Sequence, residues 1–260
     1  MISASEVLEA NKTRGGSLIG YFPLGFPTTR DSIEAAVAMC ESGVDILELG
    51  IPYSDPVMDG VVIQEATAQA LANGFKLRNV FEAISAVTSR VEAPVLVMTY
   101  WNPVMQYGAK EFAKDLLEAG AAGAITPDLI PDEAQDWIKA TEDLGLDRVF
   151  LATPTSSPAR TKAASESSKG FVYAVSTMGI TGARDDLDAN ARKVVSAVRM
   201  ASPETMTAVG IGVSTADQVS EINSYADGAI VGSAFVRAYQ QGGIEALRNK
   251  VSELAKGKMN

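Results

Sequence analysis

The chain has 260 residues, of which 47% are hydrophobic, and a formal net charge of −10. The negative charge opposes non-specific binding to nucleic acid and to anionic membranes. No apolar run is long enough to span a bilayer, and the chain opens without a signal-peptide pattern, so we expect a cytoplasmic protein. Histidine is absent. Acid–base chemistry therefore has to use other groups, and metal binding lacks its commonest ligand.

Eight short apolar runs alternate with helical patterns along the chain. Runs of this kind, rich in Val, Ile and Leu, are typical of parallel strands that are covered on both faces. They are Ser17–Tyr21, Asp45–Gly50, Pro94–Tyr100, Ala122–Thr126, Asp147–Ala152, Phe171–Val175, Thr205–Val209 and Asp227–Val231. Eight strands alternating with helices predict an α/β fold of the (β/α)8 TIM-barrel type. No linker composition interrupts the pattern, so we expect a single domain over residues 1–260.

Two helical segments carry further local signals. Between the first two runs, Thr28 and Asp31 suit the start of a helix and Gly43 suits its end. The periodicity places Cys40, the only cysteine, on the buried face of that helix, which favours packing over thiol chemistry. The tail from 240 to 260 is predicted to be a final helix with one apolar stripe.

Carboxylates stand out around the second run. Glu48 lies near its C-terminal end, where barrel enzymes gather their catalytic residues, and a buried carboxylate needs a hydrogen-bond partner or a raised pKa. The next loop adds Asp55 and Asp59. Two acids in different environments at one cavity can divide the roles of acid and base. The residues alone leave open a satisfied buried glutamate at Glu48 and aspartates that merely form turns.

Glycines follow three successive late runs, at Gly179–Gly182, Gly210–Gly212 and Gly232–Ser233. The corresponding loops of barrel enzymes, together with the start of a short helix, present backbone N–H groups to a phosphate. Ser233 could also cap that helix and donate its hydroxyl. Each glycine alone would suit a tight turn equally well, but the set favours a phosphate site.

Three other features have open interpretations. The segment from Gly179 to Asp186 lacks periodicity and is predicted to be a mobile loop beside the phosphate site, in which Arg184 is either functional or plain surface charge. Tyr173 could supply a hydroxyl or a buried ring. The aromatic segment Met98–Gly108 could cover the substrate, contact a partner or fold back on the core.

Four segments together resemble the alpha chain family of tryptophan synthase. Leu47–Gly60 resembles the signature segment of the family, and Met98–Pro103, Pro127–Pro131 and Gly179–Gly182 resemble its other landmarks, in the same order along nearly the whole chain. The resemblance implies a TIM-barrel lyase of tryptophan biosynthesis. Its reaction would be the retro-aldol cleavage of indole-3-glycerol phosphate to indole and glyceraldehyde 3-phosphate.

The resemblance also implies roles for individual residues. Glu48 would protonate the indole C3 and handle the proton of the glycerol hydroxyl, and Asp59 would polarise the indole N–H. Thr181 would belong to the closing loop and contact Asp59. The implied phosphate ligands are Gly182, Gly212, Gly232 and Ser233, and the implied indole pocket is lined by Tyr173, Ile125 and Leu151.

A partner is implied as well, namely the beta chain, which holds pyridoxal phosphate and receives indole in an α2β2 complex. This chain itself would hold no cofactor and no metal, and the loops around Asp55 and Trp101 would contact the partner. The sequence departs from the usual family pattern at Val61-Val62, where Pro-Thr is usual, and at Ile211, where an aromatic residue is frequent.

Two alternative functions are also considered. The first is another phosphate-binding barrel, such as a sugar-phosphate epimerase or isomerase, for which we would expect histidine or metal ligands. The second is a catalytically quiet barrel that mainly binds and activates a beta chain. The presence of both Glu48 and Asp59 favours an enzyme.

Overall fold

The computed structural model describes residues 2–175, 184–210 and 212–258. Its strands are β1 (Ser17–Pro23), β2 (Ile46–Gly50), β3 (Val95–Met98), β4 (Gly123–Ile125), β5 (Asp147–Val149), β6 (Leu151–Ala152), β7 (Val172–Val175), β8 (Thr207–Gly210) and β9 (Gly228–Val231). They pair in parallel in the order β5-β4-β3-β2-β1-β9-β8-β7-β6.

Helices follow the strands along the chain. They are α1 (Ala4–Asn11), α2 (Thr29–Glu41), α3 (Val61–Ala72), α4 (Val80–Thr88), α5 (Trp101–Tyr107), α6 (Ala109–Glu118), α7 (Gln135–Leu144), α8 (Pro158–Ser167), α9 (Arg184–Ala201), α10 (Ala216–Asn223) and α11 (Ser233–Ala255). Short 3-10 turns lie at Lys12–Arg14, Leu77–Asn79, Pro131–Glu133 and Lys256–Lys258. In the described part of the chain, no helix is long and apolar enough to cross a membrane.

The nine strand segments occupy eight positions around a nearly closed barrel, which confirms the predicted TIM-barrel fold. The expected strand Asp147–Ala152 is divided at Phe150. Its first half, β5, pairs with β4, and its second half, β6, pairs with β7. Each half pairs with only one other strand. The two edges of the sheet are therefore linked covalently by the backbone at Phe150.

Alternate residues of the strands form two separate cores. One cluster lies inside the barrel and includes Ile19, Ile46 and Leu96. The other lies between the strands and the outer helices and includes Leu47 and Leu49. This is the two-residue period of a strand with both faces buried.

The N-terminal helix closes the base of the barrel. Ala4 and Leu8 of α1 belong to the inner cluster, and the buried carboxylate of Asp147 accepts hydrogen bonds from the Ala4 N–H at 2.7 Å and the Ser3 hydroxyl at 2.7 Å. The strands run from this base, so their C-terminal ends open at the opposite face.

The helix signals in the sequence correspond to the structure in most respects. The Thr28 side chain accepts from the Asp31 N–H at the start of α2, and Cys40 packs partly buried against the outer core, where burial raises the pKa of its thiol to about 12. The predicted tail helix is part of α11, which is interrupted at Gly242 and Gly243 and gives way to a 3-10 turn at Lys256.

Candidate active site

Glu48 lies on β2 and faces the interior of the barrel near its open end. Ile46, two residues earlier, belongs to the inner core, whereas Leu47 and Leu49 pack against the helices. The Glu48 side chain is 2% exposed, and its Oε1 atom finds no hydrogen-bond partner among the described residues. Burial raises the pKa of this carboxyl from 4.5 to about 8, because the apolar surroundings disfavour its charged form. At neutral pH this group carries a proton that it can donate.

Asp59 lies in the loop between β2 and α3, nine residues after the end of β2. The loop is held by hydrogen bonds from the Gln64 side-chain amide to the Asp59 carbonyl at 2.8 Å and from the Met58 N–H to the Tyr100 hydroxyl at 2.9 Å. The pKa of the Asp59 carboxyl is about 6. Burial raises it to this value, although a hydrogen bond from Tyr100 acts in the opposite direction. Asp59 is therefore ionised at neutral pH while Glu48 is protonated.

Two buried tyrosines lie within electrostatic reach of both carboxylates, and the region around Glu48, Asp59, Tyr21 and Tyr173 is here called the chamber. Burial, followed by the charges of Asp59 and Glu48, raises the pKa of the Tyr21 hydroxyl well above its usual value, and burial followed by the charges of Glu48 and Asp59 raises the pKa of Tyr173. A carboxylate influences a phenol in this way only at short range. Both acids therefore lie near Tyr21 and Tyr173, at the same end of the barrel.

The hydroxyls of these tyrosines fill space that two glycines leave free. A Cβ atom on Gly50 would overlap with the Tyr21 hydroxyl, and one on Gly210 would overlap with the Tyr173 hydroxyl. Gly50 ends β2 and Gly210 ends β8. The absence of a side chain at both positions lets each phenol extend towards the open end.

The glycines proposed for phosphate binding surround the same opening where they are described. Gly212 has φ +61°, which favours glycine, and a Cβ there would meet no atom of the described residues within 4 Å. Gly232 precedes α11, and a Cβ on it would lie 3.2 Å from the Tyr21 ring. Ser233 begins that helix, whose first N–H groups have no acceptor within the helix.

The implied indole-pocket residues lie on the inner side of the barrel. Ile125, Leu151 and Tyr173 all belong to or pack against the inner cluster, together with Met98. A cavity of about 240 Å³ adjoins Leu151 at the open end, and its lining includes Met58, Pro127 and Leu129. Neither Glu48 nor Asp59 lines this cavity, which therefore lies beside the two carboxylates and not between them. Apolar walls with few polar groups suit a flat aromatic ring that carries one polar N–H.

Several expected features lie outside the described residues. These are Thr181, Gly182, Ile211 and most of the loop from Gly179 to Asp186. Arg184 is described only as the first residue of α9. The predictions for these residues stay predictions.

Exposed apolar side chains lie on one side of the opening, after β2, β3 and β4. Val57 is 77% exposed, and Met58, Val61, Met105 and Ile130 are exposed as well. These five residues, here called the rim patch, come from the β2–α3 loop, the start of α3, α5 and the segment after β4. A group of exposed large apolar side chains is typical of a surface that binds another protein.

The two loops that the sequence marked as contact surface lie at this rim. Asp55 is exposed, and Trp101 is partly buried at the start of α5. The Trp101 N–H donates to the carboxylate of Asp128 at 2.8 Å, which ties α5 to the segment after β4. Trp101 also meets the buried Trp137 edge to face, with ring centroids 6.1 Å apart, so part of the aromatic segment folds back on the core.

Val61-Val62, where the sequence departs from the usual pattern of the family, lies at the start of α3. Gly60 precedes α3, and Val61 takes the first helical position with 52% of its surface exposed. Proline is favoured at that position because its N–H is not needed there, and valine can occupy it without losing a hydrogen bond. Ile63, further along the helix, reaches the vicinity of Gly232.

Two residues of the chamber were not singled out from the sequence. Tyr21 pairs with Glu48 across β1 and β2, and Tyr100 donates to Asp59 at 3.3 Å. Alternation along β1 could have placed Tyr21 inside, since Ile19 and Tyr21 share a face. No local signal could have paired Tyr100 with Asp59, because 41 positions separate them.

In the described residues, no group of three His, Cys, Asp or Glu side chains converges to hold a metal ion. The chemistry of the site is thus described by two carboxylates with different proton affinities, three phenols, an apolar chamber, and backbone N–H groups at the start of α11. This set can transfer protons to and from an aromatic substrate that carries an anion.

Known proteins share this sequence and fold. The family model described as tryptophan synthase alpha chain matches residues 7–260. The tryptophan synthase alpha chain of Leifsonia xyli subsp. xyli is 61% identical over 242 residues, which are 93% of this chain and 92% of the relative. That of Mycobacterium avium is 52% identical over 241 residues, 93% of this chain and 88% of the relative.

Solved structures agree. A chain of Mycobacterium tuberculosis tryptophan synthase superposes with a TM-score of 0.93 at 46% identity, covering 99% of this chain and 98% of that chain. A chain from a structure of the tryptophan synthase α2β2 complex of Pyrococcus furiosus gives 0.84 at 35% identity, covering 92% and 97%. The chain therefore belongs to the tryptophan synthase alpha chain family.

Proposed function

We propose that this chain cleaves indole-3-glycerol phosphate to indole and glyceraldehyde 3-phosphate, with Glu48 and Asp59 as its catalytic residues. One observation carries the proposal. A buried carboxyl with a pKa of about 8 and a second carboxyl with a pKa of about 6 both act on the phenols of Tyr21 and Tyr173 at the open end of the barrel. Carboxylates whose pKa values are pushed apart by their surroundings can act as an acid and a base at the same pH.

Glu48 handles the proton that the reaction moves. Protonated Glu48 donates to C3 of the indole ring, which weakens the bond between C3 and the glycerol chain. The resulting carboxylate then accepts the proton of the hydroxyl on the adjacent glycerol carbon while the C–C bond breaks. Indole and the aldehyde leave, and Glu48 is protonated again, so no net proton is consumed.

Asp59 stabilises the charge that develops on the ring. When C3 takes up a proton, positive charge spreads to the ring nitrogen, and an ionised carboxylate that accepts the N–H stabilises it. This role needs Asp59 in its charged form, which its pKa of about 6 provides at neutral pH. Thr181 is proposed to contact Asp59 from the loop before α9.

The remaining proposed ligands hold the two ends of the substrate. Backbone N–H groups around Gly212, Gly232 and Ser233, with Gly182, bind the phosphate, as helix starts do in general. The net charge of −10 does not prevent this, because hydrogen bonds act within about 3 Å and more distant charges are screened beyond about 8 Å. Ile125, Leu151 and Tyr173 line the indole pocket.

The decisive experiment follows indole release from indole-3-glycerol phosphate by the purified chain, with and without a beta chain. We expect Glu48→Gln and Asp59→Asn each to abolish release while preserving the fold, as judged by circular dichroism. Full activity in either variant would refute the assignment of that residue. Activation of a partner without any indole release would instead favour the catalytically quiet barrel.

The partner is proposed to be a tryptophan synthase beta chain, in an α2β2 complex. The rim patch supports this proposal, because it places exposed apolar side chains on one side of the opening from which indole leaves. Asp55 and Trp101 lie beside it. Pyridoxal phosphate would belong to the beta chain and not to this chain, and we infer that the complex works in the cytoplasm.

A further inference from the structure

Tyr100 follows β3 and reaches into the loop that carries Asp59. Its side chain is 2% exposed. Its hydroxyl oxygen lies 2.9 Å from the Met58 nitrogen and 3.3 Å from Oδ2 of Asp59. One buried phenol thus contacts Met58 and Asp59, two consecutive residues of the loop between β2 and α3.

The chemistry of the three groups determines the direction of the hydrogen bonds. The Met58 N–H can only donate, so the Tyr100 oxygen accepts from it. The phenol proton is then available to the carboxylate, and the geometry has it donate to Asp59. A carboxylate that accepts such a bond is stabilised in its ionised form. Tyr100 therefore favours the charge state that a partner of the indole N–H needs.

The Tyr100 ring is itself held in place. It stacks on Tyr53, with ring centroids 5.1 Å apart and an angle of 26° between the planes. The Tyr53 hydroxyl accepts from the Asn102 side-chain amide at 3.3 Å. The next residue, Trp101, has its N–H bound to Asp128. The stacking contact on the ring and the hydrogen bond of the adjacent backbone thus limit the motion of Tyr100 and position its hydroxyl.

We propose that Tyr100 is a positioning residue for Asp59: its hydroxyl, oriented by the Met58 N–H, holds the Asp59 carboxylate ionised and aimed into the chamber. This inference rests on the proposed role of Asp59. Tyr100 acts through that carboxylate and transfers no proton to the substrate. Its pKa is raised by burial, then by the charge of Asp59, so it stays protonated and remains a donor.

The test is the pH profile of kcat/KM for indole release by Tyr100→Phe. The hydrogen bond from Tyr100 lowers the pKa of Asp59, so its loss raises that pKa above about 6. Because the ionised form is the active one, the acid limb of the profile moves to higher pH. We expect a loss of about tenfold or more below that limb, the size expected when a hydrogen bond to a charged group is removed.

Tyr107→Phe is the matched control. Tyr107 also donates its hydroxyl to an aspartate, Asp115, but at the end of α5 and away from the chamber. The same chemical change there should leave the acid limb where it is in the wild type. A shift of similar size in Tyr107→Phe would overturn the proposal, since the effect would then not depend on Asp59.

A further variant makes the result specific. Ring-fluorinated tyrosine at position 100 is a stronger donor and should move the acid limb to lower pH, opposite to Tyr100→Phe. A lower kcat with an unmoved acid limb in Tyr100→Phe would overturn the proposal.

Failure of this inference can be told from failure of the proposed function. If the wild-type chain releases no indole, or if Asp59→Asn is fully active, the function of Asp59 is wrong and the Tyr100 series is not the cause. If Asp59→Asn is inactive and Tyr100→Phe has the wild-type profile, the function stands and the positioning role is wrong.

Discussion

Tyr21 and Glu48 are paired across β1 and β2, and the Tyr21 hydroxyl extends past Glu48 to occupy the space over Gly50. The phenol and the carboxyl therefore share one inner face of the barrel. This arrangement depends on the absence of a side chain at Gly50. The addition of one methyl group there would displace the Tyr21 hydroxyl.

We expect Gly50→Ala to lower kcat/KM for indole release by about tenfold or more. The new Cβ would overlap with the Tyr21 hydroxyl, and forcing an extra methyl into a packed site costs about 1–3 kcal/mol and displaces neighbours. Gly228→Ala at the base of the barrel is the control, because the nearest atoms to its Cβ would be side-chain atoms of Ile19 and Leu8 at 3.1 Å. Equal activity in the two variants would contradict the prediction.

Glu48→Gln should make the protein more stable at alkaline pH while removing activity. The pKa of Glu48 is about 8 in the folded chain and 4.5 as its ordinary value. A raised folded-state pKa gives a stability that is fully present below the ordinary pKa and is lost as pH rises through the folded one. Glutamine has no proton to lose, so it avoids that loss.

At about pH 9 we expect the free energy of unfolding of Glu48→Gln to exceed that of the wild type by on the order of 5 kcal/mol. Near pH 5 the difference should largely vanish. Urea unfolding at both pH values measures it. A variant that is less stable than the wild type at alkaline pH would mean that the glutamate is satisfied as a buried anion.

The pH profile of kcat/KM should be bell-shaped, with limbs near pH 6 and pH 8. Activity falls below the first limb because Asp59 becomes protonated, and above the second because Glu48 loses the proton that it must donate. Such a profile reports the essential groups of the free enzyme. A flat profile between pH 5 and pH 9 would be incompatible with this pair.

Ser233→Ala should weaken binding of the phosphate end of the substrate and leave the indole end unaffected. The substitution removes the hydroxyl that is proposed to donate to the phosphate, and a hydrogen bond to a charged group contributes about 1.5–3 kcal/mol. We therefore expect KM and the inhibition constant of glycerol phosphate to rise by about tenfold or more. Indole alone should bind as in the wild type. Ser252→Ala, at the far end of the same helix, is the control, and an equal effect there would argue against a phosphate site at Ser233.

Val57→Asp should abolish activation by a beta chain without unfolding this chain. The substitution puts a charge into the rim patch, where burial against a partner would leave it unpaired. Met200→Asp is a close control, because Met200 is 80% exposed and Val57 77%, but Met200 lies on α9 outside the rim patch. Titration of each variant with the beta chain measures the activation of indole release. Undiminished activation of Val57→Asp would show that the rim patch does not bind the beta chain.

Much of the fold was predictable because its signals are local. Apolar runs with alternating helical patterns indicated the eight strand positions, and Thr28 indicated the start of α2. The division of the fifth strand at Phe150 was not predictable, since it depends on which neighbours each half pairs with. The break at Gly242 and Gly243 in α11 was missed as well.

The sequence by itself determined the residue types available for chemistry, namely carboxylates and phenols without histidine, and it placed Glu48 and Asp59 near the end of one strand. Only the tertiary structure decided their protonation. Burial separates their pKa values, and burial is set by strands and helices that are distant in sequence. The same holds for Tyr100, because a hydrogen bond across 41 positions exists only once the barrel has brought β2 and β3 together.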